Sequence, residues 1–204
     1  PYITYPQGNF ASPVFHGERP DPMPHYEMTG NPVSIAFSEQ SPPVKMRSFK
    51  LYQDTKEIRD VKILDKDNDP NRLLTERQFA LFPLQPLEYD TNYRAAFEYR
   101  QNGKDKTAEW TFSTQKPDYP YFIVKGSETL AIESGQKYFI HWQDFWCLKQ
   151  CERYNYRMNR DTQLDIIERQ AGGIIIRVNG SKGSSIRLMP EGEDRRAITL
   201  YLWK

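Results

Sequence analysis

Tyr93, Ala95, Phe97 and Tyr99 alternate with Arg94, Ala96, Glu98 and Arg100, and a period of two sustained this long belongs to a strand with one dry and one wet face. Asn102-Gly103 follows at once. Both residues accept positive φ, so the chain turns there into a return strand carrying Trp110 and Phe112. A hairpin of this kind needs a second sheet to cover its apolar face, which commits this part of the chain to a layered β fold.

Upstream, Val33, Ile35 and Phe37 share one parity. Val44 and Met46 share one parity and Phe49 and Leu51 the other, so either a bulge falls near Ser48 or the strand changes its buried face. Val61 and Ile63 give a further short strand. Lys116-Pro-Asp-Tyr-Pro breaks the pattern and marks a boundary. Beyond it the same logic returns. Tyr138, Ile140 and Trp142 oppose Phe139, His141 and Gln143, and Tyr154, Tyr156 and Met158 alternate with Arg153, Asn155 and Arg157. Ile174–Val178 follows a flexible Gly172-Gly173, Ile186 and Leu188 precede a turn, and Ile198, Leu200 and Leu202 alternate with Thr199, Tyr201 and Trp203. Thr162–Gln170 reads as a brief helix or a strand. No internal repeat links the two blocks.

The expected fold class is all-β: an Ig-like β-sandwich over 31–115, then a second small antiparallel β-domain over 118–204, a sandwich or an open barrel. Residues 1–30, with Pro20-Asp-Pro-Met-Pro-His, form an extended lead-in from an upstream domain, laid on the first sandwich through Tyr2, Tyr5, Phe10 and Phe15. The 204 residues hold 13 Tyr, 11 Phe and 4 Trp, which favours two modest aromatic cores over one large aliphatic one. A net charge of +1 gives no global field for nucleic acid or an anionic membrane. No apolar run reaches the roughly 18 residues of a membrane span. The start at Pro1 reads as a piece of a longer precursor, so the absence of a leader peptide is neutral about secretion.

Pro32-Val-Ser-Ile-Ala-Phe, Phe79-Ala-Leu-Phe-Pro-Leu-Gln-Pro-Leu, the Tyr89-Asp-Thr-Asn-Tyr93 corner and Trp110-Thr-Phe-Ser-Thr carry a resemblance. Residues 31–114 resemble the bacterial Ig-like domain of S-layer and other surface proteins. With the lead-in Val14-Phe-His-Gly-Glu-Arg-Pro-Asp-Pro, the unit looks like the region that follows the CAP (allergen V5/Tpx-1, SCP-like) domain in some secreted bacterial proteins. None of that domain's own His/Glu motifs occur here, so no CAP activity carries over. The resemblance implies a non-catalytic, extracytoplasmic (periplasmic, secreted or cell-surface) accessory module. Its expected partners are an upstream domain of the same precursor and a cell-surface glycan or protein.

Several constellations bear on chemistry. Asp65, Asp67, Asp69 and Glu76 occupy positions 1, 3, 5 and 12 of a calcium loop, but Pro70 stands where the loop needs Gly and no amphipathic helices flank it. Ca²⁺ is the one cofactor the chain allows; the competing reading is a polar loop whose side chains cap turns. Cys147 and Cys151 are placed to close a small disulfide loop. His141 with Asp144, or Cys147 as a nucleophile, is the rival enzymatic reading, of hydrolase or thiol type. Gly180-Ser-Lys-Gly-Ser-Ser reads as a hairpin loop. Trp142, Trp146, Tyr201 and Trp203 beside Arg153 and Arg157 form the candidate ligand-binding set, since aromatic faces stack on sugar rings and also anchor protein partners. A plain structural stalk without a ligand is the third reading.

Overall fold

In the computed structural model, which describes residues 1–146 and 153–204, the chain divides into two units, Pro1–Lys116 and Pro117–Lys204. The fold is all-β, an Ig-like sandwich followed by a second, smaller one. Among the described residues the only helical element is a 3₁₀ turn at Asp194–Arg196.

The first unit contains β1 (Tyr2–Tyr5), β2 (Val14–Phe15), β3 (Thr29–Gly30), β4 (Val33–Phe37), β5 (Lys45–Gln53), β6 (Lys56–Glu57), β7 (Val61–Leu64), β8 (Gln78–Pro83), β9 (Asn92–Gln101) and β10 (Lys104–Ser113). One sheet runs β1-β4-β8-β7 and the other β10-β9-β5-β6. Phe97, wholly buried on β9, meets Phe49 at 5.1 Å, Phe79 at 5.0 Å and Phe37 at 6.1 Å between ring centroids, joining the two sheets. The parity change in β5 is a bulge, where the register against β9 shifts between Met46 and Ser48.

Residues 1–30 are built into this unit. β1 adds to the sheet edge along β4, and Ala11 bridges Thr114 in parallel. Phe15 packs edge-on against Phe82 at 5.4 Å, whereas Phe10 is 83% exposed. The Tyr89–Tyr93 corner closes as a hydrogen bond from the Glu88 backbone N–H to the Tyr93 hydroxyl at 2.9 Å, a device that pins the loop to the strand it enters.

The second unit contains β11 (Tyr121–Val124), β12 (Thr129–Ile132), β13 (Lys137–Trp142), β14 (Tyr154–Arg157), β15 (Thr162–Gln170), β16 (Gly173–Gly180), β17 (Ser185–Pro190) and β18 (Ile198–Leu202). Its sheets run β11-β13-β16-β15 and β12-β18-β17-β14. Both are antiparallel except at one edge each, where β11 lies parallel to β13 and β12 parallel to β18. Trp142, Ile140, Ile174, Ile176, Leu188, Leu200 and Leu202 fill the space between them.

Thr162–Gln170 is a strand, because β16 pairs along its whole length. Gly172-Gly173 is a close approach, not a flexible joint: a Cβ on Gly173 would stand 1.8 Å from the Ile140 carbonyl oxygen. Gly180–Ser185 links β16 of one sheet to β17 of the other, so it is an inter-sheet connection and no hairpin.

A second tyrosine corner stands here. The Glu133 N–H donates to the Tyr138 hydroxyl at 2.9 Å, again across five residues. In both corners the residue two after the glutamate has positive φ, +47° at Asp90 and +81° at Gly135. The two blocks therefore share a local pattern, an apolar residue and Glu, four residues, then Tyr: Leu87-Glu88…Tyr93 and Ile132-Glu133…Tyr138.

Candidate functional site

In β18 the residues Ile198, Leu200 and Leu202 point into the core, which sends Thr199 and Tyr201 outward. Trp203 continues the alternation one residue further, its N–H donated to the Ile132 carbonyl at 3.2 Å. Tyr201 is 40% and Trp203 46% exposed. On the neighbouring β17, Ile186 and Leu188 are buried, so Ser185 and Arg187 share the outer face with Tyr201 and Thr199, their register partners. Beyond it, Arg157 of β14 pairs with Arg187, and Asn155 with Met189. Arg153 has the parity of Asn155 and Arg157, and is exposed like them.

Four of the six expected ligand-binding residues, Tyr201, Trp203, Arg153 and Arg157, thus share one sheet face. A shallow groove of about 670 Å³ opens at the β14 edge of this sheet, lined by Tyr154, Asn155, Tyr156, Arg157, Arg187, Met189 and Asp194. Asn155 and Tyr156 were legible as members of the alternating strand, whereas Arg187, Met189 and Asp194 went unnoticed in the sequence. The strand parity of Ile186-Arg187-Leu188 was the available signal for Arg187.

The other two expected residues are elsewhere. Trp142 is wholly buried, and its indole N–H donates to the Arg196 carbonyl at 2.8 Å. It offers a ligand no surface and belongs to the core. Trp146 leans on the His141 ring, 4.7 Å between centroids, and is half-buried.

His141 has no exposed surface, and its Nδ1 lies 2.8 Å from the Gly172 carbonyl oxygen. It is a buried strand residue, with its ring beside those of Phe139 and Trp146. Asp144 lies in an exposed turn with φ of +59°. Cys147 and Cys151 fall outside the described residues.

In the 65–76 loop, Asp65 and Asp69 accept from the loop's own backbone and Asp67 and Glu76 pair with neighbouring cations. Asp65 accepts the N–H groups of Asp67 at 2.9 Å and Asn68 at 3.2 Å. Asp69, 8% exposed, accepts those of Asn71, Leu73 and Leu74 at 3.0, 2.7 and 2.9 Å. Burial opposes its ionisation, but the three donors prevail and hold its carboxyl below the usual range. Asp67 pairs with Lys66 and Glu76 with Arg77. Among the described residues no group of three or more His, Cys, Asp or Glu gathers closely enough to hold a metal ion. Asp65 and Asp69 thus cap turns of this loop. Asn71 also donates to the Asp21 carbonyl at 2.7 Å, tying the loop to the lead-in segment beside an apolar cavity of about 260 Å³.

No protein-family model matches the chain, and no curated protein matches it. Solved structures with a similar trace include an I-band fragment of titin (10% identity, TM-score 0.29, covering 99% of this chain and 65% of that one). Domains 4 and 5 of the S-layer protein SbsC are similar at 10% identity and TM-score 0.28, covering 100% of this chain and 96% of that one. A SusE-like surface-located polysaccharide-binding protein from the Bacteroides thetaiotaomicron heparin utilisation locus is similar at 15% identity and TM-score 0.27, covering 83% and 30%. The chain thus spans 65% of the titin fragment's length. Identities and superpositions this low carry no argument about function.

Proposed function

We propose that the chain is a non-catalytic, extracytoplasmic accessory module of a larger secreted or surface protein, and that the outer face of the β12-β18-β17-β14 sheet is its contact surface for a cell-surface glycan or protein. In this reading the first unit spaces and orients an upstream domain, in keeping with the resemblance to regions that follow CAP domains. The single observation behind it is the co-facial arrangement of Tyr201, Trp203, Arg153 and Arg157 on a sheet whose opposite face packs Ile186, Leu188, Ile198, Leu200 and Leu202 into the core. Two half-exposed aromatic rings standing on a regular sheet are not needed for packing, and rigid aromatics are economical contact residues because they lose little side-chain freedom on binding.

The test is retention of the chain on a panel of glycans and cell-wall preparations, with Tyr201→Ala and Trp203→Ala beside it. Retention of the parent chain and its loss in both variants, with melting temperatures preserved, is the expected result. Equal retention of all three proteins would remove this face from the reading.

A further inference from the structure

Arg157 and Arg187 face each other directly across the β14–β17 ladder, as register partners on the solvent side. Directly opposed side chains in an antiparallel pair stand about 5 Å apart at Cβ, and like charges there destabilise the sheet. Both guanidinium groups are exposed. Among the described residues neither has an ion-pair or hydrogen-bond partner, and Asp194, in the same groove, pairs with neither. Elsewhere the like-charge register partners Lys45–Arg100 and Lys137–Arg177 each have an acidic register partner on the other side of the arginine, Asp105 and Asp165. On the outer face of β9, Arg94 has Glu109 at 3.1 Å across the ladder and Tyr52 under its guanidinium at 4.3 Å. The Arg157–Arg187 pair has no acidic register partner, since Arg187 faces Thr199 on its other side, and it lines a groove at the edge of the sheet that also carries Tyr201 and Trp203.

We infer that this pair receives an anionic oxygen group, the carboxylate or sulfate substituent of an acidic polysaccharide whose sugar rings lie along Tyr201 and Trp203; the inference rests on the recognition role proposed for this face. Two guanidinium forks on register partners that line one groove suit a planar or tetrahedral oxyanion, because each can donate two parallel N–H bonds. The remaining groove lining supports a sugar over a protein segment. Beside the arginines its lining is mostly polar, with Asn155, Tyr156 and Asp194 and one apolar side chain, Met189, whereas a protein partner needs a desolvated apolar anchor pocket. Nucleic acid is disfavoured, since a chain of net charge +1 with a single arginine pair neutralises few phosphates. The arrangement also explains why a destabilising pair is present at all: the bound anion removes the repulsion, and the free protein carries it as strain of a purely electrostatic kind.

Affinity electrophoresis and calorimetry of the full chain would use polygalacturonate, dextran sulfate, neutral dextran, poly-glutamate and single-stranded DNA as probes. Arg157→Gln, Arg187→Gln and Tyr201→Ala would be compared with the parent. The expected result is binding of polygalacturonate or dextran sulfate in preference to dextran, weakened by rising salt. Each arginine variant should lose about tenfold in affinity, with a melting temperature equal to or above the parent's because a like-charge contact has been removed. Equal binding of neutral and acidic glycans, sensitive to Tyr201→Ala but not to the arginine variants, would overturn the anion site while sparing the recognition face. Preference for poly-glutamate or DNA over the acidic glycans would overturn it in favour of another polyanion. Binding of none of the probes would overturn the inference, and the failure of a glycan and cell-wall panel as well would overturn the reading beneath it. A fall in melting temperature in both arginine variants would show that the pair serves the fold and not a ligand.

Discussion

Tyr93→Phe removes one oxygen atom from the first unit and nothing else. Its consequence follows from the corner geometry. The Tyr93 side chain is 2% exposed, and its hydroxyl is the acceptor for the Glu88 N–H at 2.9 Å. A net intramolecular hydrogen bond contributes about 1 kcal/mol, and a donor left without an acceptor adds a further penalty when water cannot reach it. Glu88 is partly exposed, so water offsets part of this penalty and the sum comes to roughly 1.5 kcal/mol. For a unit of this size that corresponds to a fall in Tm of about 6 °C.

The same residue contributes to the alkaline limb, beside Tyr89, whose phenol burial also pushes up to about 12. Burial pushes the Tyr93 phenol up to about 12 from 10.0. The unfolded chain ionises first, so this contribution to stability is whole below pH 10 and is lost as pH rises from 10 to 12. The loss is on the order of 3 kcal/mol. Urea unfolding followed by circular dichroism at pH 7 and at steps from pH 9 to 11.5 reads both effects. The Phe variant should be weaker at pH 7 and should show a shallower alkaline decline. A variant within 0.3 kcal/mol of the parent at pH 7, on the order of the usual scatter of neutral surface substitutions, would refute the structural role of the corner. An unchanged alkaline slope would refute the assignment of that titration to Tyr93.

Asp69→Asn turns one acceptor oxygen into a donor facing backbone N–H groups, and should cost about 2 kcal/mol. Because the Asp69 carboxyl is held below its usual range, its contribution is present above pH 4 and is lost as pH falls below it; in the variant, acid denaturation curves should lose that part of their slope. Trp142→Ala should cost about 3–5 kcal/mol through the cavity it leaves, seen as loss of the second unit's unfolding transition, whereas Trp203→Ala should stay within about 0.5 kcal/mol. Gly173→Ala, with no room between its Cβ and the Ile140 carbonyl, should prevent β13 from pairing with β16 and yield protein that binds hydrophobic dyes.

The strand faces that were legible in the sequence were those with one wet side. Thr199, Tyr201 and Trp203 against Ile198, Leu200 and Leu202 needed only parity, and so did Tyr93–Tyr99. Parity fails in β13, where Tyr138 to Trp142 are buried on both faces, so an outward role for Trp142 could not be told from an inward one. Arg157 was visible as an exposed arginine, but its opposition to Arg187 depends on register, which no single strand encodes. The lead-in's pairing was invisible for another reason: β1 is a four-residue edge strand, and β2 and β3 have two residues each, too short for any period. Gly172-Gly173 looked like slack because glycine serves both for freedom and for close approach, and only the neighbouring carbonyl tells which.

In each unit an early segment lies parallel to the last strand, and this arrangement acquires meaning when the chain is pulled from its ends. Parallel partners near opposite termini slide past each other under tension, so their hydrogen bonds are loaded together and must fail together instead of opening one at a time. The second unit has four residue pairs in this position, Thr129–Ile132 against Thr199–Leu202. The first has the single Ala11–Thr114 bridge, with flanking bonds from Ser113 to Gly8 and from Gln115 to Ala11, each of 2.8 Å. Stretched in a force spectrometer, the first unit should yield at the lower force and extend while the sheet with Tyr201 and Trp203 stays folded.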